Sequence, residues 1–182
     1  MLAYGGVMLE SLMEHLAYGC SQFVASGDAT TDGAVIHGRN LDWMMVEPIV
    51  DYPTLIVRHP TDGIPSVTYG FPGNISPYSG MNAAGISLAS NEAHGRTAPP
   101  GVGRDHTQMQ RLLLDTAETL DDVRDFLEAE EHGSTETIVA ADGNNGTGAA
   151  FEMTPGAIGV REMSGDNVVW ATNHFTHADT AD

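Results

Sequence analysis

The sequence contains no lysine, and its seven basic residues are all arginines. They face 25 aspartates and glutamates, so the formal net charge of the 182-residue chain is −18 at pH 7. Nucleic acids and anionic membranes repel so acidic a surface, and we expect neither as a partner. Salt screens this self-repulsion, and the composition is therefore typical of a halophilic organism with an acidic proteome.

Cysteine and long apolar runs are also scarce. Cys20 is the only cysteine, so the chain forms no internal disulfide and needs no oxidising compartment to fold. No apolar run is long enough to span a bilayer, and residues 1–18 lack the basic start of a signal peptide. We therefore expect a cytoplasmic protein. Hydrophobic residues make up 41% of the chain, which is enough for a buried core in one domain.

Apolar periodicity and turn residues divide the chain into short strands and a few helices. Residues 7–18 have the spacing of a short amphipathic helix that ends at Gly19. Cys20 begins a predicted β-hairpin whose turn contains Asp32 and Gly33. The order of the elements predicts an α+β fold of antiparallel sheets with a helical layer. The remaining predictions are strands at 54–57, 66–71, 86–91, 136–141, 148–153, 157–162 and 168–172, helices at about 107–117 and after an N-cap pair of Thr119 and Asp122, a turn at 80–85 and a loop at 94–104.

The predicted hairpin brings three chemically active side chains to one end. Cys20 begins its first strand, and Arg39 and Asp42 follow at the end of its second strand. In an antiparallel pair those two ends lie side by side. Local geometry therefore places a thiol, a guanidinium and a carboxylate together, and we expect the charge of Arg39 to favour the thiolate.

A nucleophilic thiol needs a base or a lowered pKa. Cleavage between Gly19 and Cys20 would place a new α-amine on the nucleophile's own residue, and the reference pKa of about 7.7–8.0 for such an amine suits a general base. Asp42 would hold or orient that amine. Asn91, at the end of a strand, and Asn173 are candidate oxyanion donors, because side-chain amides donate well to developing negative charge.

Four motifs, in this order, resemble the cysteine N-terminal nucleophile (Ntn) hydrolases. More narrowly, they are similar to the linear-amide C–N hydrolases, with penicillin V acylase and bile salt hydrolase on one side and the isopenicillin-N acyltransferase type on the other. The resemblance extends from Gly19 to Phe175 and implies an αββα sandwich and self-cleavage that exposes the cysteine. The motifs are Gly-Cys-Ser at 19–21, Gly-Arg-Asn-Leu-Asp-Trp at 38–43, Gly-Met-Asn-Ala-Ala-Gly-Ile at 80–86 and Thr-Asn-His-Phe at 172–175.

Position by position, the resemblance implies that Cys20 is the nucleophile and that its freed amine is the base. Arg39 and Asp42 match the arginine and the aspartate that flank the nucleophile. Asn173 matches the oxyanion-hole asparagine. Asn91 falls where the family offers a backbone N–H, with a variable side chain, at the second half of the hole. The resemblance implies neither a cofactor nor a metal.

The family usually has a longer segment before the cysteine, and it continues past the Asn-His-Phe motif with further strands. We therefore expect a propeptide-like helix at 1–19 and an Ntn-hydrolase domain at 20–182 whose sandwich is incomplete at its C-terminus. The expected activity is hydrolysis of a small-molecule linear amide, or transfer of its acyl group. Penicillins, conjugated bile acids, N-acyl amino acids and small peptides are all compatible substrates, and a homo-oligomer is left open.

Two other interpretations stay open. A truncated family member would be non-catalytic and would only fold or assemble with a partner chain. An ordinary cysteine hydrolase would use His37 or His174 as its base. His174 and His177 also have a spacing seen in metal sites, but two ligands do not make a site. Glu152 is predicted to support the core of a sheet rather than to act in catalysis.

Overall fold

The computed structural model describes residues 19–42, 51–74, 77–93 and 103–181. The predicted helix at 7–18, Trp43 and most of the predicted loop at 94–104 lie outside these ranges. The described residues form ten strands and two helices: β1 (Cys20–Gly27), β2 (Gly33–Leu41), β3 (Thr54–Arg58), β4 (Ser66–Gly70), β5 (Ser79–Asn82), β6 (Ile86–Glu92), α1 (His106–Thr116), α2 (Leu120–Ala129), β7 (Glu136–Asp142), β8 (Thr147–Thr154), β9 (Ala157–Glu162) and β10 (Val168–Ala171).

The strands form two antiparallel sheets that stack face to face. The smaller sheet has the order β10-β1-β2, and the larger has the order β3-β4-β5-β6-β7-β8-β9. The two helices pack on the opposite face of the larger sheet, so the described residues supply an α layer and both β layers of the predicted αββα sandwich. Buried apolar side chains fill the space between helices and sheet: Ile86, Leu88, Met109, Leu113, Leu114, Leu127, Ile138, Phe151 and Met153.

A second core lies between the two sheets and consists of small side chains. Val24 and Val169 of the smaller sheet pack against Val139, Ala141 and Ala150 of the larger one, and all five are at most 3% exposed. Burial of a valine side chain stabilises a fold by about 1.5–3 kcal/mol. This core therefore fixes how β1, and with it Cys20, sits over the larger sheet.

The outer face of the three-stranded sheet is apolar and open among the described residues. Phe23, Ile36 and Trp170 are 44–49% exposed there. Phe23 is the cross-strand partner of both Gly38 and Trp170, so the apolar side chains form one continuous patch. The fourth layer of an αββα sandwich would pack on this face.

Both helices begin at side-chain caps. The carboxylate of Asp105 accepts the backbone N–H of Thr107 at the start of α1. Thr119 and Asp122 form a reciprocal capping box at the start of α2, as their spacing predicts. A backbone N–H from Glu118 and the hydroxyl of Thr119 lower the pKa of Asp122, so the carboxylate stays charged at the positive end of the helix.

The predicted turn at 80–85 is wrong in its first half, because Ser79–Asn82 form strand β5 between β4 and β6. Gly80 suggests a turn in the sequence, but it serves packing: a Cβ there would lie 2.7 Å from Thr68 Cγ2 and 2.8 Å from Leu114 Cδ1. The real turn is confined to 83–85, with Gly85 at a φ of +92°. The side chain of Asn82 closes it by accepting the N–H groups of Ala84 and Ile86.

The topology gathers four chain segments at one edge of the sandwich. β1 begins there with Cys20, β2 ends there, and the chain leaves β10 there toward Asn173. The end of β6, with Asn91 and Glu92, lies beneath them in the other sheet, since Asn91 donates to the carbonyl of Thr172. All five residues singled out in the sequence therefore lie near this edge.

Candidate active site

The hairpin register places Cys20 opposite Leu41 and Gln22 opposite Arg39. The Arg39 guanidinium turns back toward the strand start, where its Nη2 lies 3.9 Å from Cys20 Sγ and donates to the carbonyl of Ser90 at 2.6 Å. Its Nε and Nη1 are buried and donate to no acceptor among the described residues. Arg39 therefore bridges the two sheets and retains unused donors beside the thiol.

The thiol of Cys20 is not activated by its surroundings alone. Burial raises its pKa above the ordinary value, and this effect outweighs the opposing effects of the Arg39 charge and of a backbone N–H from Asp42. The expectation that Arg39 favours the thiolate is thus correct in direction but insufficient in size. Because the thiol stays protonated near neutral pH, nucleophilic attack requires a base.

The peptide bond before Cys20 is held on both sides. The carbonyl oxygen of Gly19 accepts the backbone N–H of Asp42 at 3.0 Å. On the other side, the backbone N–H of Cys20 donates to Asn173 Oδ1 at 2.5 Å. A Cβ at Gly19 would lie 3.1 Å from Asp42 Oδ2, so a larger residue would push against that carboxylate. The Asp42 carboxylate is itself held by the side-chain amide of Asn40 at 2.7 Å.

Asn173 presents its oxygen to Cys20 and its nitrogen to the other sheet. Asn173 Nδ2 donates to the carbonyl of Glu92 at 2.6 Å. An amide nitrogen carries two hydrogens, so one donor remains beyond this bond. In this arrangement Asn173 acts first as an acceptor that fixes the Cys20 amide, and its role as an oxyanion donor depends on the second hydrogen.

The side chain of Asn91 differs from the expectation of an oxyanion donor. It is fully buried, and its Nδ2 donates to the carbonyls of Ala171 at 3.2 Å and Thr172 at 3.1 Å. Its Oδ1 accepts Nε2 of Gln22 at 2.9 Å. Both hydrogens are already used because the side chain points between the two sheets, so the side chain is not offered to a substrate.

Gln22 and His37 extend the hydrogen-bonded group that contains Asn91. The sequence analysis did not single out Gln22, and it considered His37 only as a possible catalytic base. His37 Nε2 lies 3.2 Å from Gln22 Oε1, and its Nδ1 lies 2.8 Å from the hydroxyl of Ser87. Burial, with the Arg39 charge, lowers the pKa of His37 to about 4, so the ring is neutral near pH 7. Alternation along β1, which puts Gln22 on the same face as buried Val24, is the signal that would have found Gln22.

Neither candidate histidine base contacts the thiol. The His37 ring is engaged as described above, and the His174 ring hydrogen-bonds the hydroxyl of Thr172 at 2.7 Å. His177 Nδ1 accepts the backbone N–H of Asp179 at 3.2 Å. Among the described residues, no three His, Cys, Asp or Glu side chains converge as they would around a metal ion. Within the same part of the chain, no helix is both long and apolar enough to cross a membrane.

A buried His–Glu pair lies behind Arg39. His106 Nδ1 and Glu136 Oε1 are 2.5 Å apart, and each residue is 2% exposed. Burial raises the pKa of Glu136, which His106 partly offsets. Burial lowers the pKa of Arg39; Cys20 opposes this effect most, and Glu136 makes a smaller opposing contribution. The pair therefore lies within electrostatic reach of the guanidinium beside the thiol.

Glu152 anchors the chain beyond Asn173. Its fully buried carboxylate accepts the backbone N–H groups of Thr176 and His177, the hydroxyl of Thr180 and Nε of Arg161. Burial alone would raise the pKa of Glu152, but these donors outweigh it and the net pKa is lowered. The sequence predicts that Glu152 supports the core of a sheet. In the structure its carboxylate also holds the C-terminal segment against β8.

An apolar groove of about 210 Å³ opens next to Arg39 and His37. Its floor is the face of β3, β4 and β5 that looks toward the smaller sheet. Four large side chains on this face are 50–66% exposed, so they are available to a ligand. They are Leu55, Val57, Tyr69 and Met81.

Three comparisons place the chain among known proteins. Residues 29–182 match the family model described as acyl-coenzyme A:6-aminopenicillanic acid acyl-transferase. An uncharacterized protein of Archaeoglobus fulgidus is 28% identical over 157 residues, which is 84% of this chain and 26% of the relative. Protein dcd1B of Dictyostelium discoideum is 46% identical over 43 residues, which is 24% of this chain and 9% of that protein.

Three solved structures that share this fold are described as an amidase, a hydrolase and an acylase. The Caenorhabditis elegans ortholog of N-acylethanolamine-hydrolyzing acid amidase has a TM-score of 0.68 at 19% identity, over 86% of this chain and 71% of that one. Conjugated bile acid hydrolase of Clostridium perfringens has a TM-score of 0.62 at 14% identity, over 87% and 54%. Penicillin V acylase of Agrobacterium tumefaciens has a TM-score of 0.57 at 19% identity, over 82% and 51%.

The chain covers only part of the length of each of these relatives and solved structures. The chain spans about a quarter or less of the two curated relatives. It spans between 51% and 71% of the three solved chains. The family model, in contrast, covers the chain from the β1–β2 turn to its last residue, and the solved structures confirm the Ntn-hydrolase fold. The chain therefore belongs to the acyl-coenzyme A:6-aminopenicillanic acid acyl-transferase family of Ntn enzymes.

Proposed function

We propose that the chain cleaves its own Gly19–Cys20 bond and then acts, through the new N-terminal cysteine, on the C–N bond of a small linear amide. One observation carries this proposal: the scissile peptide is held from both sides next to the thiol. Its carbonyl oxygen accepts the backbone N–H of Asp42, and its N–H donates to Asn173 Oδ1. Holding both sides of the peptide bond beside the thiol lowers the entropic cost of bringing nucleophile and carbonyl together.

The self-cleavage step uses only groups of this chain and water. Cys20 Sγ attacks the carbonyl carbon of Gly19, and the oxygen takes up negative charge that the N–H of Asp42 stabilises. The C–N bond breaks, the Cys20 nitrogen leaves as an amine with the thiol proton, and a thioester joins Gly19 to Sγ. Water hydrolyses the thioester, which leaves a carboxylate on Gly19 and a free thiol and α-amine on Cys20.

The freed amine then provides the base that the buried thiol needs because its pKa is raised. With a reference pKa of about 7.7–8.0, it can accept the thiol proton near neutral pH. Sγ attacks the substrate carbonyl, and the second hydrogen of Asn173 Nδ2 and a backbone N–H near Asn91 are the proposed oxyanion donors. The ammonium returns its proton to the leaving amine, and an acyl-enzyme remains. Water completes hydrolysis, which we take as the default, and an amine acceptor would give acyl transfer.

The groove beside Arg39 supplies the substrate contacts in this proposal. Leu55, Tyr69 and Met81 offer an apolar surface to the acyl group. The unused Nε and Nη1 donors of Arg39 would bind a polar group near the scissile bond. The strongly acidic chain makes a small molecule the natural partner, and we place the reaction in a cytoplasm of high ionic strength.

A second candidate function is a non-catalytic domain that assembles with further polypeptide. The exposed apolar side chains of Phe23, Ile36 and Trp170 on the outer face of the smaller sheet favour it. Such a domain would keep the Gly19–Cys20 bond intact, so one measurement separates the two candidates.

That measurement is the intact mass of the purified protein in high salt, beside a Cys20→Ala control. We expect the wild type to lose residues 1–19 with time while the control keeps its full mass. A panel of acyl amides then tests the cleaved protein for release of amine. Wild-type protein that stays full length under conditions where it is folded would overturn the self-cleaving mechanism and favour the non-catalytic domain.

A further inference from the structure

We propose that Gln22, His37 and Asn91 form a polarised relay between the two sheets that positions Asn173 against the Cys20 amide. The inference rests on the proposed function, in which Asn173 holds the bond to be cleaved. None of the three side chains hydrogen-bonds the thiol among the described residues, so they act through Asn173 and are positioning residues rather than catalytic ones.

The relay is anchored where β6 meets the chain after β10. Asn91 Nδ2 donates to the carbonyls of Ala171 and Thr172, the two residues immediately before Asn173. Asn173 Nδ2 returns a bond to the carbonyl of Glu92, the residue immediately after Asn91. Three hydrogen bonds therefore join these two short segments, and any turn of the Asn91 amide moves the backbone that carries Asn173.

Two backbone carbonyls determine the direction of every bond in the relay. Carbonyls only accept, so the Asn91 nitrogen must face Ala171 and Thr172, and its oxygen must face Gln22. Gln22 therefore donates from Nε2 and presents Oε1 to His37.

The same logic assigns the histidine tautomer. Gln22 Oε1 can only accept, so the proton of neutral His37 lies on Nε2. His37 Nδ1 is then bare and accepts the hydroxyl hydrogen of Ser87. Gln22 is 3% exposed and Asn91 is fully buried, so water does not compete for their bonds.

A substitution that inverts one donor distinguishes this relay from ordinary packing. In Gln22→Glu the side chain keeps its shape but has no N–H for Asn91 Oδ1. The neighbouring Arg39 and the Nε2–H of His37 favour the ionised form of the new carboxyl group. The Asn91 amide must then turn to donate to this carboxylate, which withdraws its hydrogens from Ala171 and Thr172. Gln22→Met removes the donor without reversing it, so the two carbonyls still orient Asn91.

The matched control is Thr137→Val. Thr137 is the cross-strand partner of Asn91, is fully buried, and has a hydroxyl with no hydrogen-bond partner among the described residues. The substitution changes a buried polar atom beside the relay without touching it. Its thermal unfolding midpoint and cleavage rate therefore set the baseline for the Gln22 variants.

The first readout is independent of activity and uses the uncleaved Cys20→Ala protein. Long-range ¹H–¹⁵N NMR reports the tautomer of His37, which a His37→Asn variant identifies, and the amide signal of Asn173. We expect a bare Nδ1, a protonated Nε2, and an Asn173 amide that shifts in Gln22→Glu but not in Thr137→Val. A protonated Nδ1 near neutral pH, or an Asn173 signal indifferent to Gln22→Glu, would overturn the relay.

The second readout is the rate of self-cleavage at matched fractions of folded protein. We expect Gln22→Glu to slow cleavage about 10- to 100-fold, more than Gln22→Met, since a displacement of about 1 Å costs up to about 100-fold. Gln22→Glu that cleaves as fast as Thr137→Val contradicts the relay. If the wild type itself does not cleave, the proposed function fails, and the relay is judged by the NMR signals.

Discussion

The inner face of the seven-stranded sheet has two halves, one covered by the smaller sheet and one bare. A single row of cross-strand partners runs through both, from Leu55 through Tyr69, Ser79, Ala89 and Val139 to Ala150. Leu55 and Tyr69 are 66% and 54% exposed, whereas the last three residues of the row are at most 2% exposed. We call the two halves the bare half, on β3–β5, and the covered half, on β7 and β8.

The difference between the halves is one of side-chain size as well as cover. Alanines and valines in the covered half let the smaller sheet approach closely and pack without water. Larger side chains in the bare half project into an open groove beside Arg39. Of the two halves, the covered half therefore contributes more to stability. The bare half is available for ligands, with His37 and Arg39 at the boundary.

The largest expected effect is a loss of stability in the covered half. Val24→Ala removes two methyl groups from a fully buried site between the sheets, and we expect it to lower the free energy of unfolding by about 2 kcal/mol. Val57→Ala in the bare half is the matched control and should stay within about 0.5 kcal/mol of the wild type. Urea unfolding followed by tryptophan fluorescence measures both, and equal losses would contradict the division into halves.

The covered half was also the easier part to predict from the sequence. Strand β7 contains a run of small and β-branched residues at 137–141, and β8 follows it after a clear turn. The predicted bounds of β7 and β8 differ from the structure by at most one residue at each end. Strand β5 was missed because Gly80 indicates a turn in the sequence. In the structure a glycine is needed there because Thr68 and Leu114 leave no room for a Cβ. That requirement arises from packing against other elements, which no local pattern contains.

The site divides in the same way into a local and a non-local part. Hairpin pairing alone brings Cys20, Arg39 and Asp42 together, so their proximity follows from the sequence. The bond between Gln22 and Asn91 joins residues 69 positions apart in different sheets, and the sequence offers no register for it. For this reason the sequence assigned Asn91 to the oxyanion, and only the structure shows it turned toward Gln22.

The next effect concerns pH and arises at the boundary between the halves. The pKa of His37 is lowered from 6.5 to about 4 in the folded protein, because burial and the charge of Arg39 oppose protonation. Between about pH 6.5 and 4, His37 is therefore protonated in the unfolded chain and neutral in the folded chain. Stability from this group is complete above pH 6.5 and falls as the pH drops toward 4, by an amount on the order of 2 kcal/mol.

Unfolding of the wild type and of His37→Gln at pH 7 and pH 4.5 isolates this effect. Carboxylates titrate in both proteins, so the difference between them reports the histidine. We expect the wild type to lose more stability on acidification than His37→Gln. Equal losses would mean that the ring is protonated in the folded protein and that the boundary is more accessible to water than its burial indicates.

A smaller effect is expected when the bare half is made polar. Leu55→Asp places a carboxylate in the groove next to Arg39, where the proposed acyl group binds. For an apolar amide we expect KM to rise about tenfold, equivalent to about 1.4 kcal/mol of binding, with kcat nearly unchanged. Steady-state kinetics on the cleaved protein measures both constants. A fall in kcat with constant KM would place Leu55 near the reacting atoms instead.

The smallest expected effect returns to the covered half and concerns a polar atom inside it. The hydroxyl of Thr137 is buried without a hydrogen-bond partner among the described residues, and such a group costs stability because it has lost its water. Thr137→Val keeps the shape and removes the hydroxyl, so we expect a gain of about 0.5–1 kcal/mol in the free energy of unfolding. Urea unfolding at pH 7 measures it. A clear loss would show that the hydroxyl is hydrogen-bonded in solution, and the covered half would then be less dry than its alanines and valines indicate.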